Sequence, residues 1–192
     1  MKTEIPETVI LGIDPGTNLM GYGVLRVSGN SASLVAMGVL DMRKMTEPYE
    51  KLDRIFSRVA SLIDEFHAGV LAIEAPFMGK NVQSMLKLGR AQGVAIAAAA
   101  HRGVHIQEYK PLEIKMAITG NGGASKEQVA DMLRRFLRIR EEDIPDKLDA
   151  TDALGAAYCY YLRMNRPQAQ RPLRGWKEFV EKNKDRVSGL KK

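Results

Sequence analysis

Four acidic residues stand where the chain around them predicts a buried position. Asp14 follows the apolar run Val-Ile-Leu-Gly-Ile and Glu74 follows Val-Leu-Ala-Ile, each the pattern of a buried strand that ends in an acid. Asp149 and Asp152 lie three residues apart in a helical pattern, so both side chains point from one helix face. If the two strands are neighbours and the helix packs beside them, four negative charges converge, and such a cluster needs cations to be stable. The pattern predicts a divalent-metal site.

Each of these acids has a simpler explanation when it is considered alone. An isolated acid usually caps a helix or lies in solvent, and Asp149, at a predicted helix start, is the clearest candidate for a cap. The metal hypothesis therefore depends on the fold bringing all four acids together. Hard carboxylate oxygens favour Mg²⁺ or Mn²⁺ over zinc, and no His or Cys cluster with ligand spacing occurs in the sequence.

Hydrophobic periodicity and turn residues predict the order of strands and helices. Strands are expected over 9–14, 21–27, 32–40, 69–74 and 104–108, and helices over 48–66, 81–101, 111–118, from 125 and from 149. The first three strands follow one another as an antiparallel meander, and the later helix-to-strand connections add parallel strands. This order predicts an α/β fold with a mixed five-stranded sheet flanked by helices, the ribonuclease-H-like arrangement.

The size and composition fit one globular domain with a short extension. The chain has 192 residues, of which 45% are apolar and 27% charged. One cysteine permits no internal disulfide and no signal peptide is evident, so we expect a protein of the reducing cytoplasm. The longest charge-free apolar stretch, residues 93–100, is far too short to cross a bilayer, so no membrane association is expected.

Positive charge is concentrated at the C-terminal end. Residues 163–192 hold ten Lys or Arg and three Asp or Glu, whereas the first 162 residues hold 19 and 20. We therefore predict a domain over 1–162 and a basic tail over 163–192. The tail either grips an anionic partner or is a solvated end that aids solubility, and composition does not choose between the two.

Three ordered segments and the two-aspartate helix resemble one known family. The segments are Gly-Ile-Asp-Pro-Gly-Thr at 12–17, Ile-Glu-Ala-Pro-Phe-Met-Gly-Lys-Asn at 73–81 and Leu-Lys-Leu-Gly-Arg at 86–90. Together with Asp-Ala-Thr-Asp-Ala-Leu at 149–154 they look like the RuvC family of Holliday-junction resolvases. The resemblance implies a homodimeric endonuclease that cuts four-way DNA junctions by symmetric nicks in recombination and repair, using magnesium or manganese.

Two ions per active site would explain the need for four acids. Such ions, roughly 4 Å apart, clamp a phosphate, with one activating water and the other stabilising the leaving oxygen. We expect Asp14 to contact both ions and Glu74 and Asp152 to contact one each. Asp149 is expected to complete the ring or to position the water.

Two lysines match in spacing the lysines that the family places near the cut phosphate. The resemblance implies that Lys115 and Lys126 stabilise the charge that develops there. The alternative is that both are ordinary exposed lysines on helices. The basic tail lies beyond the resemblance; it is expected either to follow a DNA arm or to contact the branch-migration helicase with which the family works.

Further DNA contacts are expected near the start of the second predicted helix. Phe77 follows the fourth strand on a loop, and the resemblance implies that it stacks on an unpaired base near the crossover. The alternative is a core aromatic. Met78 and Lys80 are expected to complete this DNA-facing loop, and Lys87 and Arg90 to contact backbone phosphates.

The second predicted helix, 81–101, carries a stripe of small residues. Gly89, Gly93 and Ala97 lie four apart, which lets another backbone approach closely. The pattern alone favours packing against the chain's own sheet. The resemblance instead places this helix at a homodimer interface, which would present two identical sites to the two strands of a junction.

Three other functions are compatible with parts of the sequence. Another ribonuclease-H-like nuclease, acting on RNA–DNA hybrids or processing RNA, would not need Phe77 or the small-residue stripe. A non-catalytic junction-binding protein would be expected to lack a carboxylate, and none is missing. An ATPase built on the Asp-Pro-Gly-Thr turn needs two lobes, for which the chain is too short.

Overall fold

A mixed five-stranded sheet forms the centre of the computed structural model, which describes residues 7–76, 81–140 and 148–165. The strands are β1 (Thr8–Asp14), β2 (Leu19–Ser28), β3 (Ser31–Asp41), β4 (Val70–Glu74) and β5 (His105–Tyr109). Their order across the sheet is β3-β2-β1-β4-β5. The first three strands pair antiparallel, whereas β4 is parallel to both β1 and β5.

Helices cover both faces of the sheet. They are α1 (Pro48–Phe66), α2 (Val82–His101), α3 (Pro111–Thr119), α4 (Lys126–Leu137) and α5 (Asp149–Met164). Helices α1 and α2 pack on one face, and α3, α4 and α5 on the other, where α5 lies directly against β1 and β2. The element order and the mixed sheet confirm the predicted ribonuclease-H-like α/β fold, with each predicted strand boundary within two residues of the observed one.

Alternate residues of the central strands supply the two cores. Ile10, Val70 and Ala72 pack with α3, α4 and α5, whereas Leu11 and Leu71 pack with α1 and α2. This division follows from the two-residue period of a strand, whose neighbouring side chains point to opposite faces. Strands β1 and β4 therefore carry apolar residues on both faces, and their sequences are almost continuous hydrophobic runs.

Local sequence signals explain where the elements begin. The Ser125 side chain accepts a hydrogen bond from the Gln128 backbone N–H, and the Gln128 side chain accepts one from the Ser125 N–H, which is the capping box that starts α4. Asn81 caps α2 by accepting from the Ser84 N–H. Gly29, with a φ of 58°, allows the two-residue turn between β2 and β3.

One sequence-based expectation about α2 is wrong, and the predicted domain boundary stays a prediction. The stripe of Gly89, Gly93 and Ala97 faces solvent, so the expectation that it packs against the chain's own sheet is wrong; Ala91 and Ala95 do this instead. Helix α5 ends at Met164, and residues from 166 onward, most of the predicted basic tail, lie outside the described residues, so the division at residue 162 stays a prediction. No helix in the described ranges has the length and apolar character to span a membrane.

Candidate active site

Asp14 and Glu74 end two adjacent parallel strands at the same level. Strands β1 and β4 pair with Ile13 opposite Ile73, so that Asp14 and Glu74 are the next facing positions. Even-numbered residues of both strands lie on the side covered by α5. The period of two therefore directs both carboxylates toward α5.

Helix α5 supplies the other two acids from its first turn. Asp149 and Asp152 lie at its N-terminus, where the helix dipole favours negative charge. Leu148 rather than Asp149 holds the N-cap position, so the cap explanation for Asp149 gains no support. The Asp149 backbone lies against Gly21 of β2, which is the strand partner of Asp14. The structure thus brings together the four acids from three distant segments of the chain.

Three glycines allow α5 to approach the sheet this closely. A Cβ atom on Gly12 would lie 2.1 Å from the carbonyl oxygen of Ala153, and one on Gly21 would lie 1.9 Å from that of Asp149. A Cβ on Gly23, the strand partner of Gly12, would lie 2.9 Å from a backbone atom of α5. Sequence reasoning missed these positions. The available signal was a set of glycines, two residues apart in β2, inside strands where glycine is otherwise unfavourable.

The acids perturb one another electrostatically. Partial burial raises the pKa of Asp14 well above its ordinary value, and the negative charges of Glu74 and Asp152 raise it further. Burial, followed by repulsion from Asp152, raises the pKa of Glu74 to about 7. The pKa of Asp152 is also raised, chiefly by burial, despite a hydrogen bond from Lys126 that opposes the shift. Burial is the largest cause of all three shifts and repulsion among the acids adds to it, and a bound cation would oppose both effects.

The two lysines that were predicted to contact the phosphate both lie beside the acids. Lys126, the first residue of α4, donates a hydrogen bond from Nζ to Oδ2 of Asp152. Burial alone would lower the pKa of Lys126, but the hydrogen bond to Asp152 and the charges of the nearby acids raise it. The Lys115 charge lowers the pKa values of Glu74 and Asp152, which places it beside them. An open cleft of about 140 Å³ joins these groups and is lined by Glu74, Pro111, Ile114, Lys115, Lys126, Val129 and Asp152.

The donor set fits hard divalent cations by its chemistry. Carboxylate oxygens are the ligands that Mg²⁺ and Mn²⁺ prefer, and all four acids remain partly accessible to solvent. Among the described residues, no group of three or more Asp, Glu, His or Cys side chains is arranged so that it could hold one metal ion. One oxygen of Asp152 is engaged by Lys126 instead.

The predicted DNA contacts are only partly within the described ranges. Lys87 and Arg90 lie on α2 and are exposed. Phe77, Met78 and Lys80 lie outside the described residues.

Comparison with known proteins agrees with this architecture. The family model for crossover junction endodeoxyribonuclease RuvC matches residues 10–160. The chain is 60% identical to the crossover junction endodeoxyribonuclease RuvC of Bacteroides fragilis, over 97% of this chain and 100% of that protein. It is 56% identical to the protein of the same name from Porphyromonas gingivalis, over 94% of this chain and 97% of that protein.

A solved structure shows the same likeness in three dimensions. The Thermus thermophilus RuvC in complex with a Holliday junction substrate superposes with a TM-score of 0.74 at 32% identity, over 82% of this chain and 94% of that one. A second structure of Thermus thermophilus RuvC superposes with a TM-score of 0.72 at 33% identity, over 82% of this chain and 96% of that one. By its sequence and by its fold, the chain therefore belongs to the RuvC family of crossover junction endodeoxyribonucleases.

Proposed function

We propose that the chain resolves four-way DNA junctions by metal-dependent hydrolysis of phosphodiester bonds. The observation that carries this proposal is the convergence of four carboxylates and two lysines from five separate parts of the chain, in a member of the RuvC family, beside an open cleft that Glu74, Asp152 and both lysines line. A relative with the same fold has been solved in complex with a Holliday junction substrate. Since the relatives reported above are bacterial enzymes that act on DNA, and bacterial DNA lies in the cytoplasm, a cytoplasmic location is part of the proposal.

The four acids are proposed to hold two divalent ions, with Mg²⁺ as the native choice and Mn²⁺ as a substitute. Asp14 is assigned the central place, because it ends β1 beside Glu74 of β4 and pairs with Gly21, against which the Asp149 backbone lies. It is therefore assigned to both ions, and the other three acids to one ion or the bound water. When bound, such ions supply an activated water and neutralise charge on the phosphate and the leaving oxygen.

The two lysines are proposed to bind the phosphate that is cut. Lys115 on α3 and Lys126 on α4 line the cleft together with Glu74 and Asp152. Their ammonium groups are placed to hold a phosphate oxygen against the acids and to stabilise the negative charge that develops during hydrolysis. This arrangement positions the substrate through side chains on rigid helices.

The exposed face of α2 is proposed to form a homodimer interface. Gly89 and Gly93 have no atom within 4 Å of where a Cβ would stand, and Leu86 and Val82 on the same helix are 52% and 64% exposed. A two-fold contact along this face would present two identical clefts to the two strands that must be cut. The homodimer is part of the proposal.

DNA contacts outside the cleft are proposed on the segment that joins β4 to α2. This segment follows directly from Glu74, so Phe77, Met78 and Lys80 would meet the DNA next to the cut site, with Phe77 stacking on a base. Lys87 and Arg90 would contact backbone phosphates. The basic tail and the branch-migration helicase are proposed as an additional DNA contact and an additional partner.

The decisive experiment separates junction binding from junction cutting. Asp14→Asn keeps the shape of the side chain and removes its charge, so junction binding should survive while cleavage across an Mg²⁺ titration falls by at least about a hundredfold. Asp64→Asn is the matched control, because Asp64 pairs with Arg102 on the surface and should leave both properties unchanged. Substrates should include a four-way junction, a plain duplex and an RNA–DNA hybrid.

The outcomes distinguish junction resolution from a different nuclease activity and from junction binding without catalysis. Preferential cutting of the junction by the native chain supports the proposal. Equal or faster cutting of the hybrid would favour a different ribonuclease-H-like nuclease. Tight junction binding without cutting at any Mg²⁺ or Mn²⁺ concentration would indicate a non-catalytic binding protein.

A further inference from the structure

The ammonium group of Lys126 stands inside the acid cluster. Its Nζ bonds to Oδ2 of Asp152, and its charge acts on Asp14, Glu74 and Asp149 as well. The lysine side chain is 56% exposed, whereas the Asp152 side chain is only 13% exposed. The partner that can move is therefore the lysine, whose flexible stem reaches the cluster from solvent.

Lys126 differs in this respect from the other lysine of the cleft. Lys115 influences Glu74 and Asp152 through its charge, but within the described ranges the ion pair to the acid cluster comes from Lys126. Other ion pairs of these ranges lie elsewhere on the surface, such as Arg102 with Asp64. The cluster thus has one directly bonded cation of its own among the described residues.

A lysine ammonium and a divalent ion compete for the same atom at this position. A lone pair of Asp152 Oδ2 that accepts the hydrogen bond from Lys126 is not available to an ion, and two cations in one small site repel each other. With no ion bound, however, the lysine relieves the mutual repulsion of acids that partial burial already disfavours. The same contact therefore stabilises the ion-free protein and opposes ion binding.

We propose that Lys126 is an internal counterion of the acid cluster, which holds Asp152 while no divalent ion is bound and is released from Asp152 when ions bind. This inference rests on the proposed role of the four acids as ion ligands. It adds that the ammonium freed from Asp152 becomes available to a phosphate oxygen only after the ions are in place. Ion loading and readiness to bind the phosphate are then linked through one side chain.

The test measures ion binding and stability without reference to cleavage. Lys126→Met removes the ammonium and keeps an unbranched side chain, so Mn²⁺ should bind about tenfold or more tightly in calorimetric titration, because a charge at contact distance is removed. The same variant should unfold at a lower temperature than the native chain in EDTA, and saturating Mn²⁺ should remove the difference. Lys126→Arg, which retains the charge and the pairing, should bind Mn²⁺ no more tightly than the native chain.

Lys115→Met is the matched control for charge alone. It removes one ammonium from the same cleft without breaking the bond to Asp152, so the gain in Mn²⁺ affinity should be smaller and the stability in EDTA should change little. If Lys126→Met does not fold in EDTA, Mn²⁺ should restore folding. A variant that stays unfolded with Mn²⁺, or equal effects of the two lysine substitutions, would contradict the counterion role.

The outcomes also separate this inference from the proposed function. Native protein that binds no Mn²⁺, or an Asp14→Asn variant that binds it as tightly as native, would defeat the assignment of the acids as ligands. A different result would contradict only the counterion role of Lys126. In that case the native protein binds Mn²⁺ and Asp14→Asn binds it less tightly, but Lys126→Met has the Mn²⁺ affinity and the stability in EDTA of the native chain.

Discussion

Gly21→Ala tests whether the close approach of α5 to the sheet positions the acids. The added Cβ would lie 1.9 Å from the carbonyl oxygen of Asp149 and 2.5 Å from its carbonyl carbon. Ordinary contacts begin near 3.4 Å, so the start of α5 must move away by about 1.5 Å. The obstructing atoms belong to the backbone and cannot rotate aside. The displacement therefore reaches Asp149 and Asp152 directly.

Both stability and cleavage should fall, by different amounts. Overpacking of this kind costs about 1–3 kcal/mol of the free energy of unfolding. A displacement of about 1 Å in a catalytic group lowers the reaction rate by about a hundredfold. Thermal unfolding measures the first effect, and single-turnover junction cleavage with saturating Mg²⁺, well below the unfolding midpoint, measures the second.

A graded series of glycine variants provides the controls. In Gly23→Ala the nearest α5 atom lies at 2.9 Å and the site is farther from the acids, so both losses should be smaller. Gly69→Ala places its Cβ in open space and should behave like the native chain. A Gly21→Ala variant with native stability and native cleavage rate would refute the reasoning that close helix–sheet contact fixes the acid geometry.

Two further predictions concern the dimer and the titration of the acids. Gly93→Leu adds a side chain where no atom lies within 4 Å, so the chain should fold and run as a monomer in light scattering; native dimerisation would argue against the α2 interface. The pKa of Glu74 is raised from 4.5 to about 7, so in EDTA the folded state holds this proton more tightly than the unfolded state. Stability should therefore fall as pH rises from about 4.5 to about 7, by up to about 3 kcal/mol, and Glu74→Gln should flatten this slope in urea unfolding. An equally steep slope in the variant would show that another group is responsible.

The sequence by itself determined the elements and the chemical type of the site. Continuous apolar runs at Val9–Ile13 and Val70–Ile73 predicted strands buried on both faces, and the acids that follow them predicted a site for a cation if the strands were neighbours. The capping box at Ser125 located the start of α4, and hence Lys126, to the residue. These features are local, because each depends on the period of hydrophobic residues or on hydrogen bonds within one turn.

Only the tertiary structure decided which groups meet and which face of α2 is exposed. The small residues Gly89 and Gly93 and the buried Ala91 and Ala95 belong to one helix, and their spacing alone did not show which set would pack against the sheet. Likewise, no local pattern revealed that Lys126 bonds to Asp152, 26 residues away. Such contacts depend on how closely each helix approaches the sheet. The glycines of β1 and β2 permit the close approach of α5, although they are distant from α5 in the chain. A sequence records residue types in order, whereas an electrostatic cluster depends on distances across the fold, and those distances exist only once packing has fixed the helices.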